Sequence, residues 1–211
     1  MMEFYVYTKG SARMITIGLT GSIACGKSHI SDTLRSLGAY IIDGDELSRR
    51  LTAPGGAALP ELRAHFGDDV FFPDGTLDRK ALGAIVFTSD EKRQLLDEIM
   101  QPAILRLIHH ELGKARESGA AVTVLDMPLL FEKKLDTLCS SVWCTVLPEE
   151  MQLRRLMARD NCTEEQARNR MASQMSTKEK ATLSQVLIDT SGEMEETDRL
   201  VVEAWQKLLT E

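Results

Sequence analysis

The segment Gly21-Ser22-Ile23-Ala24-Cys25-Gly26-Lys27-Ser28 fits the pattern G-x-x-x-x-G-K-[ST] without a mismatch. Its glycines let the backbone fold tightly, so that successive N–H groups point at one anion. A helix that begins at such a loop directs the positive end of its dipole at the same anion. The pattern predicts a site for the phosphates of ATP, with Lys27 on the β- and γ-phosphates and Ser28 on Mg²⁺. Binding contacts are expected from Gly21, Ala24, Cys25, Gly26, Lys27, Ser28 and His29.

Carboxylates follow two of the predicted strands. Asp43 and Asp45 come directly after Tyr40-Ile41-Ile42, and Asp126 ends Val122-Thr123-Val124-Leu125. Because α/β proteins bind ligands at the carboxyl ends of parallel strands, these acids are expected beside the phosphate loop. Asp43 and Asp45 are then expected to orient an acceptor hydroxyl, while Asp126 is expected to contact Mg²⁺ or its waters. The alternative for Asp45 is that it caps the helix that follows.

Basic residues cluster late in the chain. Arg155 and Arg159 lie four residues apart on one predicted helix, and Arg168 and Arg170 lie on the next. In a chain with a net charge of −7, this local excess indicates a mobile lid, over about residues 149–180, that closes on ATP phosphates. The alternative is a solvated face, which is the ordinary role of a run of charges.

The phosphate loop and the acids need a sheet edge to hold them together. Ile15-Thr16-Ile17-Gly18-Leu19-Thr20 has the composition of a buried strand, and Tyr40-Ile41-Ile42 forms a second. Between them Ile30, Leu34 and Leu37 mark one face of a helix. This strand–helix–strand unit predicts a right-handed crossover and parallel pairing of its two strands.

The stretch from about 47 to 119 shows no strand pattern. It is too long to be a loop, so it predicts a helical insertion between the second and third strands. Helix starts with the spacing of a capping box are predicted at Thr88-x-x-Glu91, Thr163-x-x-Gln166 and Ser176-x-x-Glu179.

Three further strands are predicted after the insertion, at Val122–Leu125, Val142–Leu147 and Val186–Ile188. Strands that alternate with helices in this way predict an α/β fold with a mainly parallel sheet.

The composition limits the classes of partner. Hydrophobic residues make up 43% and charged residues 27% of the 211 residues, as in ordinary soluble proteins. A net charge of −7 argues against nucleic acid as a partner, because a phosphate backbone needs a basic face. The sequence shows no signal peptide and no apolar run long enough to cross a bilayer, so no membrane partner is expected. The low density of cysteines, which are expected to be reduced, predicts a cytoplasmic protein.

The four cysteines, Cys25, Cys139, Cys144 and Cys162, have no metal-binding spacing and are expected to be reduced thiols. For Cys25 two roles remain open: a thiol activated by the nearby helix N-terminus, or a small residue filling a variable loop position.

Residues Met1 to Arg13 differ from the rest of the chain, with a short aromatic stretch followed by small and polar residues. We expect an N-terminal extension that contributes nothing to the chemistry. The alternatives are an added edge strand and a mis-set start codon.

Several motifs in order resemble the dephospho-CoA kinase family. The resemblance runs from about Met14 to the end of the chain. The motifs are the phosphate loop, Ile42-Asp43-Gly44-Asp45, His65-Phe66-Gly67, Asp74-Gly75-x-Leu77-Asp78-Arg79, Asp126-x-Pro128-Leu129-Leu130-Phe131-Glu132 and Gln152-x-x-Arg155-x-x-x-Arg159.

The resemblance implies a three-layer P-loop kinase fold over residues 14–211, with five parallel strands, a helical CoA-binding insertion and a helical lid. It implies transfer of a phosphoryl group from ATP, with Mg²⁺, to the ribose 3′-hydroxyl of dephospho-CoA. Lys27, Asp45 and Arg159 would be catalytic, with Asp45 orienting the hydroxyl or accepting its proton, and Arg155 would bind ATP. A monomer or a small homo-oligomer is expected.

The chain departs from the family pattern at three places. His29 stands where the family usually has Thr, and Gln101 stands where it commonly has His. Thr190 and Ser191 stand where an Asn is usual, so a hydrogen bond on the adenine side is expected to differ.

Two rival functions remain open on the sequence. One is another small-molecule kinase, of the shikimate or nucleoside monophosphate type, which the long helical insertion fits poorly. The other is a non-catalytic protein that uses ATP binding as a switch.

Overall fold

The computed structural model describes residues 14–210 and contains a five-stranded sheet in which all neighbouring strands are parallel. The spatial order is β2-β3-β1-β4-β5. The strands are β1 (Ile15–Thr20), β2 (Tyr40–Asp43), β3 (Val122–Asp126), β4 (Ser141–Val146) and β5 (Val186–Asp189). The predicted parallel sheet is confirmed, whereas the expected extension over Met1 to Arg13 lies outside the described residues.

The pairing predicted for the first two strands is wrong, because β3 lies between β1 and β2. Leu19 of β1 pairs with Asp126 of β3, and Asp126 pairs with Asp43 of β2. The carboxyl ends of the three strands therefore lie side by side. This register brings the phosphate loop, Asp126 and Asp43 to one edge of the sheet.

Helices cover both faces of the sheet and give it three layers. On one face α1 (Lys27–Ser36) and α9 (Met194–Thr210) pack Ile30 and Trp205 into a core shared with β1, β3, β4 and β5. On the other face α5 (Asp90–Glu117) packs Ile108 against β2, β3 and β4. Apolar residues on both faces of the strands are what makes a central parallel sheet stable.

The predicted helical insertion lies between β2 and β3. It consists of α2 (Gly44–Leu51), α3 (Leu59–Phe66), α4 (Arg79–Thr88) and α5. These helices bury a core of their own, which includes Leu51, Leu62, Val70, Leu82, Ile99 and Met100. A separate core allows the insertion to hold its shape beside the sheet.

One predicted helix start is wrong by a residue. Ser89, not Thr88, caps α5 and accepts from the Lys92 N–H, while Thr88 ends α4. The Thr88 hydroxyl instead donates to the carbonyl of Ala84, one turn back in α4. Ser89 is the single residue between α4 and α5. Its extended backbone ends the first helix and allows the second to begin in a new direction.

The predicted lid region contains α6 (Glu149–Asp160), α7 (Glu164–Ala172) and α8 (Thr177–Leu183). The capping boxes predicted at Thr163 and Ser176 are both present. Within residues 14–210, no helix is both long and apolar enough to cross a membrane.

Glu111 is a buried carboxylate that joins the insertion to the sheet through partners that are partly exposed. Its carboxylate accepts from Tyr40 of β2 at 3.0 Å, Arg50 of α2 at 2.8 Å and Lys114 at 3.1 Å. The hydrogen bond from Arg50 is the main cause that lowers the pKa of Glu111 from its ordinary 4.5 to about 2. The network fixes α2, and with it Asp45, relative to α5 and β2.

We expect Glu111→Gln to reduce the stability of the protein by about 1–2 kcal/mol at neutral pH, after discounting for the exposure of Arg50. Because the folded pKa lies below the unfolded value, this stabilisation is present above about pH 4.5 and is lost as the pH falls toward 2. Urea unfolding at several pH values would show wild type losing more stability on acidification than the variant. Glu117→Gln, an exposed change on the same helix, is the control. Equal acid sensitivity of wild type and Glu111→Gln would contradict the role of the network.

Candidate active site

The phosphate loop occupies residues 21–26, between the end of β1 and the start of α1. Gly26 is the N-cap of α1 in a left-handed conformation (φ 76°), and no side chain caps that helix start. Ala24 is also left-handed (φ 61°). This backbone leaves the first N–H groups of α1 available to an anion, as a phosphate site requires.

Two glycines of the loop are required for different reasons. A Cβ on Gly21 would lie 1.8 Å from the Thr145 hydroxyl oxygen, so the loop can approach β4 only without a side chain. Gly26 needs its positive φ. Both fixed glycines of the motif therefore have a structural explanation at this site.

Lys27 forms an ion pair with Asp126 at the end of β3. Burial raises the pKa of the Asp126 carboxyl above its ordinary value, although the Lys27 ammonium beside it acts in the opposite direction. A carboxylate that is 4% exposed needs such a partner. The pair places a cation and an oxygen ligand together where the phosphate loop meets the sheet.

The two acids at the end of β2 and the start of α2 have separate positions. Asp43 caps α2 and accepts from the N–H groups of Asp45 and Glu46 at 2.8 and 3.0 Å. Asp45 is exposed in the first turn of α2 and lines a cavity beside the phosphate loop. The alternative that Asp45 caps this helix is wrong, since Asp43 does so.

The arginines of the predicted lid do not share one role. Arg155 and Arg159 line the same cavity as Lys27. Asp160 holds Arg159 through two hydrogen bonds, at 2.7 and 3.1 Å, and also pairs with Arg170. Arg168 instead pairs with acidic residues of α6 and α7, as a solvated face would.

One continuous cavity of about 1090 Å³ joins these groups. It runs from the phosphate loop, past Asp45, into the helical insertion. Its insertion end is lined by apolar side chains, including Leu62, Leu77, Leu82, Val86, Met100 and Ile104. The arrangement can hold a triphosphate next to a second, partly apolar ligand.

Comparison with known proteins assigns the family. Residues 15–196 match the family model described as dephospho-CoA kinase. A curated dephospho-CoA kinase from Geobacter sulfurreducens is 43% identical over 194 residues, covering 92% of this chain and 98% of the relative. The chain belongs to the dephospho-CoA kinase family. Membership in this family excludes the shikimate-type and nucleoside monophosphate kinase alternatives.

Solved structures agree with this family assignment. A protein from Thermus thermophilus has a TM-score of 0.80 at 31% identity, covering 92% of this chain and 98% of the other. Dephospho-CoA kinase from Campylobacter jejuni has a TM-score of 0.70 at 27% identity, covering 92% and 96%.

Sequence reasoning gave no role to three charged residues of the cavity. Arg79, at the start of α4, donates to the Thr52 hydroxyl and lines the cavity. Lys133 pairs with Asp97 at 2.6 Å, and both line it as well. Arg79 belongs to a motif that resembles the family, and that was the available signal. Lys133 and Asp97 are 36 positions apart in the sequence, and no sequence signal indicated that they would form an ion pair.

The three departures from the family pattern lie at the cavity. His29 lines it, with Nε2 2.9 Å from Asp198 of α9. Gln101 lines it and donates to the Lys133 carbonyl at 3.3 Å. The Thr190 hydroxyl donates to the Cys25 carbonyl at 3.0 Å and so supports the phosphate loop from the end of β5.

Cys25 is packed inside the loop and is 1% exposed. Burial raises the pKa of its thiol, and the hydrogen bond with Thr177 and the other nearby groups lower it less. All four cysteines are free. Cys25 therefore fills a loop position, and the alternative of a thiol activated by the helix terminus is wrong.

The donor set fits a magnesium ion carried by a nucleotide. Ser28 is exposed at the cavity, and Asp126 is buried beside Lys27, which also lines the cavity. Both residues offer the oxygen ligands that Mg²⁺ prefers. Among residues 14–210, no group of three or more His, Cys, Asp or Glu side chains is placed to hold a metal. An ion bound mainly by phosphates and water needs only one or two protein groups.

Proposed function

We propose that the protein transfers the γ-phosphoryl group of ATP to the ribose 3′-hydroxyl of dephospho-CoA. The products are CoA and ADP, and the reaction is the last step of coenzyme A biosynthesis. The observation that carries the proposal is the cavity of about 1090 Å³ that joins the phosphate loop to the helical insertion. Ligand pockets usually measure roughly 300–1,000 Å³, so this one has room for a nucleotide and an acceptor together.

The chemistry of the cavity changes along its length in a way that suits both substrates. The end at the phosphate loop offers Lys27 and free helix N–H groups to a triphosphate. The insertion offers Arg79 and Lys133 to the diphosphate of dephospho-CoA, and apolar side chains to its long pantetheine arm. Asp45, at the start of the insertion, lines the same cavity, and we place the acceptor hydroxyl beside it.

The proposed step is an in-line displacement. Asp45 orients the 3′-hydroxyl and accepts its proton while the hydroxyl oxygen bonds to the γ-phosphorus. The bond from that phosphorus to the β–γ bridging oxygen breaks, and ADP leaves. Lys27, Arg155 and Arg159 offset the charge on the phosphate oxygens, which is the largest protein contribution to such reactions. Mg²⁺, held by Ser28 and Asp126, would supply further charge neutralisation on the phosphates.

Other residues of the loop and of α2 have supporting roles in this proposal. Gly21, Ala24, Cys25, Gly26 and His29 shape the phosphate site. Asp43 acts on the acceptor side through its capping of α2.

The division of the chain follows from the same proposal. Residues 14–211 form one kinase domain, in which the insertion at about 47–119 binds the acceptor and the lid at about 149–180 closes over ATP. Residues 1–13 take no part in the chemistry. The protein is proposed to act in the cytoplasm as a monomer or a small homo-oligomer, without nucleic acid or membrane partners.

The test is ATP consumption by the purified protein with Mg²⁺ and dephospho-CoA, shikimate, AMP, CMP or no acceptor. Turnover with dephospho-CoA alone, with a product identical to CoA, is expected. Turnover with a different acceptor would contradict the assigned substrate. Binding of ATP without turnover on any acceptor would favour the nucleotide switch.

Arg79→Ala is expected to raise the KM for dephospho-CoA about tenfold while leaving kcat and the KM for ATP nearly unchanged. The reason is that Arg79, fixed by Thr52, faces the acceptor end of the cavity and not the phosphate loop. Steady-state kinetics with each substrate varied would measure this. Arg93→Ala, an exposed change in α5, is the control. If the variant raised only the KM for ATP, Arg79 would bind ATP and not dephospho-CoA, and the prediction would be wrong.

A further inference from the structure

Lys180 of α8 is fully buried, which is rare for a lysine. Its ammonium donates to the Pro128 carbonyl at 2.5 Å and lies 3.1 Å from Glu132 Oε1. A buried ammonium is tolerated only with such partners. The reaction proposed above gives this lysine no role, so its burial needs a separate explanation.

Both partners of Lys180 belong to one segment, residues 127–133, which we call the acceptor wall. This segment follows Asp126, and Met127, Pro128, Leu129 and Lys133 of it line the cavity. The Pro128 carbonyl also accepts from the Thr20 hydroxyl at 3.2 Å. The last residue of β1, directly before the phosphate loop, therefore shares an acceptor atom with Lys180.

The backbone just before α8 is held by the phosphate loop and the acceptor wall together. The Ser22 hydroxyl donates to the Met175 carbonyl at 3.2 Å, and the Met175 N–H donates to Glu132 Oε1 at 3.0 Å. In addition, Gln152 of α6 donates to the Ile23 carbonyl at 2.8 Å. Three parts of the site meet here: the phosphate loop, the acceptor wall and the base of the lid helices.

We infer that Lys180 and Glu132 form a positioning pair that couples the lid helices to the acceptor wall across the phosphate loop. Neither residue is among the described residues that line the cavity, so the pair acts through position and not through contact with a substrate. It fixes where α6 presents Arg155 and Arg159 relative to the wall that holds the acceptor. Apolar pairs of similar volume often stabilise a fold as well as a buried ion pair does, so we explain this ionic pair by position and not by stability.

This inference rests on the proposed function, because it concerns how the two substrate sites are aligned. Nucleotide bound at the phosphate loop acts on Ser22 and Ile23, and through Met175 and Glu132 on the acceptor wall. ATP alone is therefore expected to order residues 127–133. That expectation can be measured without an acceptor.

The variant that tests the pair is Lys180→Met/Glu132→Gln. It removes both charges together, so no unpaired charge stays buried. The amide oxygen introduced by Glu132→Gln can still accept from the Met175 N–H, while Thr20 still donates to Pro128. We expect kcat to fall about 30-fold, with both KM values and the thermal midpoint close to wild type, since small misplacements of catalytic groups act mainly on the rate. The control is Arg199→Met/Glu203→Gln, which neutralises an exposed pair on α9.

Hydrogen exchange of wild type and the double variant with a non-hydrolysable ATP analogue provides the second measurement. In wild type, the analogue is expected to slow exchange in peptides that span residues 127–133, and this effect is lost in the double variant. A folded double variant with kcat within about threefold of wild type would overturn the inference. So would a wild-type protein whose acceptor wall does not respond to the analogue, and that result needs no variant to fold.

These outcomes are separate from failure of the proposed function. If wild type binds the analogue but phosphorylates no dephospho-CoA, the assigned substrate is wrong. The exchange measurement still decides whether Lys180 and Glu132 couple the lid to the wall.

Discussion

Replacing Lys27 with alanine is expected to lower kcat/KM for phosphoryl transfer by about a thousandfold, the usual cost of removing a cation from a phosphate site. Lys27 follows the N-cap of α1 and lies at the cavity, where the β- and γ-phosphates of ATP must lie if the loop holds them. In the described structure its ammonium pairs with Asp126. On ATP binding we expect the ammonium to turn to the phosphates, which leaves the Asp126 oxygens to Mg²⁺ or its waters.

The alanine variant also leaves a buried carboxylate without its partner. Part of any loss could then come from Asp126 and not from the missing contact to phosphate. The double variant Lys27→Ala/Asp126→Asn removes both charges, so its thermal midpoint compared with that of Lys27→Ala shows how much destabilisation the unpaired carboxylate causes. Steady-state kcat/KM and single-turnover rates at saturating ATP are the measurements, with circular dichroism to check folding. A folded Lys27→Ala protein with near-wild-type turnover would disprove the phosphate-loop assignment.

Asp45→Asn is the second large effect, with an expected fall of about a hundredfold in kcat while the affinity for ATP is kept. Asparagine preserves the size of the side chain and removes its ability to accept a proton. The helix should persist, because its cap is Asp43 and not Asp45. Since phosphoryl transfer often has a loose transition state, we expect a smaller loss than for Lys27.

Glu46→Gln is the matched control for Asp45→Asn. Glu46 is the next residue of α2, is exposed, and is not among the described residues that line the cavity. The expected pattern is a loss of kcat in the Asp45 variant only, with ATP affinity unchanged in both by calorimetry. A collapse of ATP affinity at Asp45, with turnover unchanged at saturation, would remove Asp45 from the acceptor side.

Local patterns in the sequence were sufficient for most elements of this fold and for the position of the phosphate loop between β1 and α1. The five strands, the helical insertion and the capping boxes at Thr163 and Ser176 all depend on residues within a few positions of one another. The same holds for the G-x-x-x-x-G-K-[ST] segment. Short-range rules fix such features because the backbone geometry of each is set locally.

Local rules fail where two acceptable local solutions compete. Thr88 and Ser89 can each start a helix, and packing of α4 directly against α5 selects Ser89. Asp43 and Asp45 can each cap α2. Asp43 does so because it is the last, extended residue of β2, directly before the helix begins. The strand order is a similar case, since β1 and β2 are compatible with direct pairing until β3 is placed between them.

The sequence by itself determined the fold class and the family, and it located the loop that we propose binds the phosphates. Tertiary structure alone decided which distant groups meet. Lys27 pairs with Asp126, 99 residues away, and Lys180 with the Pro128 carbonyl, 52 residues away. Tertiary packing also places the phosphate loop and the insertion around one cavity. The physical reason is that a buried charge takes whichever partner the packed elements bring to it, and the spacing of residues along a chain does not record that choice.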